Sequence, residues 1–233
     1  MFGFLKRTEL AARPIAASRP QKPEPALPAE VSALLRRRDQ VNDPELRINL
    51  LDEREALARL ASDSVWGRLG LVTLDDAGDS NPYVLITRGV CTGMVAHFFH
   101  DPEPQVEFVS LEDFEAYLQD LRRRRVAIDD ADRVPPAHPD QAALSGALLE
   151  LACADNDADA TWLICFYAAL LFRDHRDVVT VIATHKDFFV REAAAEALGR
   201  MEVPNGSALL EQLAADSHGQ VAAAARRSIE RRR

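Results

Sequence analysis

The stretch VREAAAEAL, residues 190–198, superimposes on VAAAARRSI, residues 221–229, with a shift of 31 residues. Val190, Ala194 and Leu198 fall on Val221, Ala225 and Ile229, the spacing that puts three apolar side chains on one face of a helix. An aspartate-containing loop precedes each copy, HKD in one case and ADSHG in the other, and another short apolar segment precedes each loop, VVTVIATH and SALLEQLA. A weaker copy occupies 143–172 as ALSGALLELA and ATWLICFYAALLF. A helix pair of this length cannot bury its apolar face alone. Stacked pairs can, so residues 141–233 are predicted to be an α-solenoid.

Toward the N-terminus the pattern changes. Residues 129–140 are polar and rich in proline, which reads as a linker. Before it lie RLGLVTLD, NPYVLITRG, GMVAHFFHD and QVEFV, β-branched and aromatic runs of strand length separated by DAGDSNP and GVCTG turn clusters. They predict an antiparallel meander. Ser110 and Asp113 then open an amphipathic helix with Leu111, Phe114, Tyr117, Leu118 and Leu121 on its apolar stripe. That helix ends in four arginines, 122–125, which complement the helix dipole and are read as its terminus rather than as a nucleic-acid patch. Upstream, PAEVSALLRRRD is a short helix, LRINL an extended piece, and Asp52 with Glu55 has capping-box spacing for a helix EREALARLA whose Leu57 and Leu60 face inward. Residues 13–28 carry five prolines, so 1–27 is a stiff, exposed segment and the first folded module begins near Pro28. The predicted fold class is α+β: a small antiparallel sheet flanked by helices over 28–128, followed by an all-α repeat module.

Composition sets limits on function. With 47% hydrophobic and 28% charged residues the chain is an ordinary globular one, and its longest apolar run, WLICFYAALLF, is too short for a membrane span. MFGFLKR lacks the hydrophobic stretch of a secretory signal, and three cysteines without paired spacing suit a reducing compartment, so a cytoplasmic location is expected. The net charge of −9 is uneven: residues 28–130 hold 12 basic and 20 acidic side chains. Such a module repels nucleic acid and steers a cationic partner toward itself, although the same charge also serves solubility.

Signals for catalysis are weak. His97 and His100 sit in a strand, where residues three apart face opposite ways and cannot easily share a metal ion. DNDADA at 155–160 begins like a calcium loop but has Ala160 where glycine is required and Phe166 where the bidentate glutamate belongs. Asp75, Asp76 and Asp79 fall in a turn, where aspartate binds its own backbone. No nucleophile elbow or phosphate-binding glycine loop occurs. No enzyme activity, metal or cofactor is expected.

Residues 70–118, GLVTLDDAGDSNPYVLITRGVCTGMVAHFFHDPEPQVEFVSLEDFEAYL, resemble the second half of the SUKH-type family, which includes bacterial immunity proteins and a fungal cell-wall-synthesis regulator. The resemblance extends over about residues 28–125. Residues 140–233 are similar to bacterial HEAT-like repeats, with VREAAAEALGRM as the best example. These resemblances imply a protein-binding chain. The SUKH-type one implies an immunity protein that neutralises a toxin, often a nuclease, and the HEAT-like one implies a helical surface for protein partners. With a cationic toxin domain as partner, the expected contacts are Asp75, Asp76, Asp79, Asp101, Glu103 and Glu107, with Tyr83 or Phe99 as an aromatic anchor.

Overall fold

A computed structural model describes residues 26–62, 65–76, 78, 81–98, 105–131, 136–154, 158–172, 175–201 and 206–232. Two short helices, α1 (Ala29–Leu35) and α2 (Arg38–Val41), open this part of the chain. The extended segment around Ile48 forms isolated bridges, Asp43 with Ile48 and Leu50 with Asp75, and buries Leu46, Ile48, Leu50 and Leu51. Helix α3 (Glu53–Ala61) carries the expected capping box: Asp52 Oδ1 accepts from the Glu55 amide at 2.7 Å, and Glu55 Oε2 accepts from the Asp52 amide at 3.1 Å. Its fully buried residue is Ala56, with Leu60 packed alongside; Leu57 is only half-buried.

One helix was not legible. Arg68 and Leu69, expected to begin the first strand, instead end a further helix, α4 (Val65–Leu69). Gly70, at φ +70°, makes the turn from helix to strand, and a side chain there would meet Arg88 at 2.7 Å. Beyond it the meander is as predicted. Among the described residues β1 (Leu71–Thr73), β2 (Tyr83–Ile86), β3 (Val95–His97) and β4 (Gln105–Phe108) form a four-stranded antiparallel sheet in sequence order.

Both faces of the sheet are covered. Val72, Leu74, Tyr83, Leu85, Val95 and Phe108 pack under α1, α3 and α5 (Leu111–Arg124). The alternate residues Leu71, Val84, Ile86, Ala96 and Val106 belong to a second cluster, shared with the helices that follow. Period-two alternation normally separates a wet face from a dry one. Here it separates two cores, which is why β1, β2 and β3 are buried at every position.

The helical part comprises α6 (Gln141–Cys153), α7 (Ala158–Ala169), α8 (Arg176–Ala183), α9 (Phe188–Arg200), α10 (Gly206–Ala214) and α11 (Gly219–Arg231). They stack as three successive pairs among the described residues. In the repeated stretches Val190, Ala194, Leu198, Val221 and Ala225 are all buried, and Ile229 packs against them. Alanines at 193–195 and 222–225 let α9 and α11 approach closely. At their crossing a Cβ on Gly199 would lie 2.7 Å from that of Ser228.

The sheet joins this stack through α7. Phe98 sits with its ring 5.4 Å from Trp162 and 5.7 Å from Phe166. The turn after β2 adds polar fastening: the Val90 backbone is hydrogen-bonded to the Tyr167 hydroxyl, and His138 Nε2 donates to the Val90 carbonyl at 3.0 Å. Gln141 ties the linker to the end of α7, donating to the carbonyls of His138 and Leu170 and accepting from the Phe172 amide. Among the described residues no helix is long and apolar enough to cross a membrane.

Candidate functional site

The residues expected to grip a cationic partner divide three ways. Asp79, Phe99, Asp101 and Glu103 lie outside the described residues, as does His100. Asp75 and Tyr83 are interior, 2% and 3% exposed. Asp75 Oδ1 accepts from the Tyr83 amide at 2.6 Å, a turn-closing bond. The Tyr83 ring stacks on His97 at 4.1 Å and packs against Phe114 at 5.1 Å. Burial, reinforced by the carboxylates of Glu107 and Asp75, pushes its phenol far above the usual range. Neither side chain presents itself to an outside partner in this structure. Asp76 and Glu107 retain partial exposure.

Glu107 owes its position to a break in register. Val95 pairs with Phe108 while Ala96 pairs with Val106, so Glu107 is the extra residue of a β-bulge. The bulge lets Val106 and Phe108 serve opposite cores and places the Glu107 carboxylate 3.5 Å from His97 Nδ1 and 3.5 Å from the Tyr83 hydroxyl. His97, expected to be half-buried, is 5% exposed, and its Nε2 donates to the Asn81 carbonyl at 2.9 Å. This cluster satisfies polar groups inside the fold. Asp76 pairs with Arg59 at 2.5 Å; the hydrogen bond from that guanidinium, with one from the Gly78 amide, holds its carboxyl below the usual carboxylate range.

The same interleaving runs over the rest of the acidic module. Arg36 meets Glu53 at 3.2 Å, Arg37 meets Glu115 at 2.9 Å, Arg47 meets Asp129 at 3.6 Å and Arg122 meets Asp43 at 3.3 Å. Arg122 also donates to the carbonyls of Gln40 and Val41, clamping α2 to the end of α5. Arg123 and Arg124 both reach Asp120. Among the described residues the negative charge of residues 28–130 is therefore a mosaic with arginine rather than a bare acidic face. Most of these partners lie far apart in sequence, so no local pattern announces them.

The helix stack is organised by two side-chain ladders. At the turns that start α9 and α11, aspartates reach to the preceding long helix; Asp187 also caps α9, while Asp216 closes the turn before α11. Asp187 accepts from the Phe189 amide at 2.9 Å and from the Thr161 hydroxyl at 3.2 Å. Asp216 accepts from the His218 amide at 2.8 Å and holds Arg191 with two bonds, 2.7 and 3.1 Å. The bond from Arg191 keeps the Asp216 carboxyl below its ordinary range. Beside this edge a cleft of about 420 Å³ is lined by Lys186, Phe188, Phe189 and His218, and Phe189 is 42% exposed.

At the opposite edge arginines cap the ends of preceding helices. Arg200 donates to the Ala168 carbonyl at 3.4 Å, and Arg232 donates to the carbonyls of Leu198 and Met201. Between the edges, positions one repeat apart align on a ridge: Glu196 of α9 meets Arg227 of α11 at 3.4 Å, and Arg200 neighbours Arg231. Burial, with the charge of Arg231, pushes the Arg200 guanidinium pKa down. Its Nε is buried and finds no hydrogen-bond partner among the described residues.

No group of three or more metal-ligating side chains gathers among the described residues. No curated protein and no solved structure matches the chain, and no match to the SUKH-type family is found. Residues 144–230 match the family model of HEAT repeats, an architecture that presents extended surfaces to protein partners, and that match lies across the stacked C-terminal helix pairs.

Proposed function

We propose that the chain is a non-catalytic scaffold that binds a protein partner through its HEAT repeats. The observation that carries this reading is the α9–α11 ridge. Its helices are locked edge to edge by the aspartate and arginine ladders, while Phe189, Arg227 and Arg231 remain solvent-facing on it. A rigid surface with polar and aromatic side chains held in place binds with little ordering cost.

The test is affinity capture from the native cell with the full-length chain. The isolated repeats are unsuitable bait, because removing the sheet uncovers the side of Trp162 and Phe166 that Phe98 covers. A partner held stoichiometrically by the wild type and lost on substitution of exposed α9 and α11 residues supports the reading. Capture of no protein, or turnover of a small-molecule substrate by the purified chain, contradicts it.

A finer reading is an immunity protein whose partner is a cationic bacterial toxin domain, as the SUKH-type resemblance of residues 28–125 implies. The acidic balance of residues 28–130 favours it. The contacts would be Asp76, Asp79, Asp101, Glu103 and Glu107, with Phe99 as the anchor and Asp75 and Tyr83 supporting the sheet end from inside. Reversing Asp76, Asp101 and Glu103 together should weaken such a complex in a salt-dependent way. Binding indifferent to both salt and reversal counts against it.

A further inference from the structure

The ridge between the two ladders holds more positive charge than it answers. Glu196 lies opposite Arg227, with Arg200 one turn further along α9 and Arg231 one turn further along α11. Among the described residues Glu196 is the one carboxylate within ion-pair distance of any of these three guanidiniums. Arg227 takes it at 3.4 Å. Arg200 has one long bond, to the Ala168 carbonyl, and an unsatisfied buried Nε; Arg231 reaches the Ser228 hydroxyl at 3.2 Å. Neither has a carboxylate within ion-pair distance among the described residues.

Capping of helix ends accounts for Arg200 and Arg232 in part, since cations are favoured beside C-terminal carbonyls. It also favours Arg231, in the last turn of α11, but it does not account for Arg227, a turn earlier and exposed on an otherwise acidic chain. Guanidinium groups are built to receive carboxylates in a two-pronged geometry, and a partly dehydrated one gains more from doing so than a surface lysine.

We propose that Arg200, Arg227 and Arg231 form a seat for a carboxylate-bearing segment of the protein partner, Asp- or Glu-rich and short. This rests on the protein-binding reading of the HEAT repeats. Nucleic acid would meet the same guanidiniums, but it is a long polyanion, and the net charge of −9 opposes it beyond the ridge. A short acidic segment contacts only the seat.

The probe is a fluorescein-labelled peptide of repeated Glu-Glu-Leu, with its Gln-Gln-Leu counterpart as control, followed by anisotropy with the full-length protein at physiological salt. The acidic peptide should bind and the neutral one should not. Arg227→Glu with Arg231→Glu should weaken binding roughly tenfold or more, as loss of close charge pairs does. Arg231→Gln alone should weaken it less, and Arg123→Glu with Arg124→Glu, exposed on α5, should leave it unchanged. Melting curves matching the wild type establish that each variant is folded. No binding of the acidic peptide, equal loss in the α5 variant, or tighter binding of a single-stranded DNA of equal charge overturns the proposal. The natural partner separates this from the broader reading. If the wild type captures a partner and the Arg227→Glu/Arg231→Glu protein captures it equally, the seat is wrong and the scaffold stands. If the wild type captures none, the scaffold reading itself fails.

Discussion

Replacing Arg191 by methionine tests whether the turn ladder holds the repeats in register. Arg191 and Asp216 are 16% and 12% exposed, joined by two hydrogen bonds, and Arg191 Nη1 also donates to the carbonyls of His185 and Lys186 at 2.9 and 3.0 Å. Methionine keeps the helix-forming stem and removes all four donations. Breaking a fully buried pair costs about 3–5 kcal/mol. The lower end applies here, because Asp216 keeps its bond from the His218 amide and some contact with water. The expected loss is about 3 kcal/mol, or roughly a 1 M fall in urea midpoint for a slope near 3 kcal/mol/M. Adding Asp216→Asn should cost less than the sum of the single changes, with a coupling of about 1.5–3 kcal/mol. The pH dependence has a definite sign. The Asp216 carboxyl titrates lower in the folded protein than in the unfolded chain, near 3.9. Its contribution is therefore complete above about pH 4 and vanishes as pH falls through the folded value, so wild type and variant should converge there. A loss under about 0.5 kcal/mol at neutral pH, the level of an exposed pair, would refute the ladder.

Phe98→Ala removes the ring that the sheet sets against Trp162 and Phe166, and should cost about 3–5 kcal/mol. Far-ultraviolet dichroism and tryptophan fluorescence should shift together, and a shift in one alone would argue against a shared core. Gly89, at φ +77°, leaves no room for a side chain: a Cβ would stand 2.4 Å from the Tyr167 hydroxyl. Gly89→Ala should lower stability by about 2 kcal/mol, and Tyr167→Phe in that background should restore part of it; no rescue means that backbone strain alone is at work. Asp75→Ala should destabilise by about 1–3 kcal/mol in thermal melts, since it leaves the buried Tyr83 amide without its acceptor, and leave partner affinity unchanged; an affinity loss without destabilisation would reinstate it as a contact.

The elements with a clear period were legible from sequence. The 31-residue superposition found the paired helices, the alternating runs found the strands, and the Asp52–Glu55 spacing found a real capping box. Helix α4 was missed because its five residues are too few for a period and because Gly70 hid the break. Side-chain exposure was harder. The acidic turn read as an outer surface, yet Asp75 turns inward to close it, and Tyr83 fills a core that exists only because α5 covers the sheet. The bulge at Glu107 and the covering of both sheet faces depend on contacts between distant segments. The ladders left no mark in the 31-residue superposition, because Thr161 and Arg191 stand 30 residues apart and Arg200 and Arg232 stand 32 apart.

Whether the partner is held on the repeat ridge can be read from hydrogen exchange of the full-length chain with and without its captured partner. Slowed exchange along α9 and α11 is expected on binding, centred on residues 188–200 and 219–231. Protection confined to the sheet end, in the turns around Asp76 and before Gln105, with α9 and α11 unchanged, would contradict it.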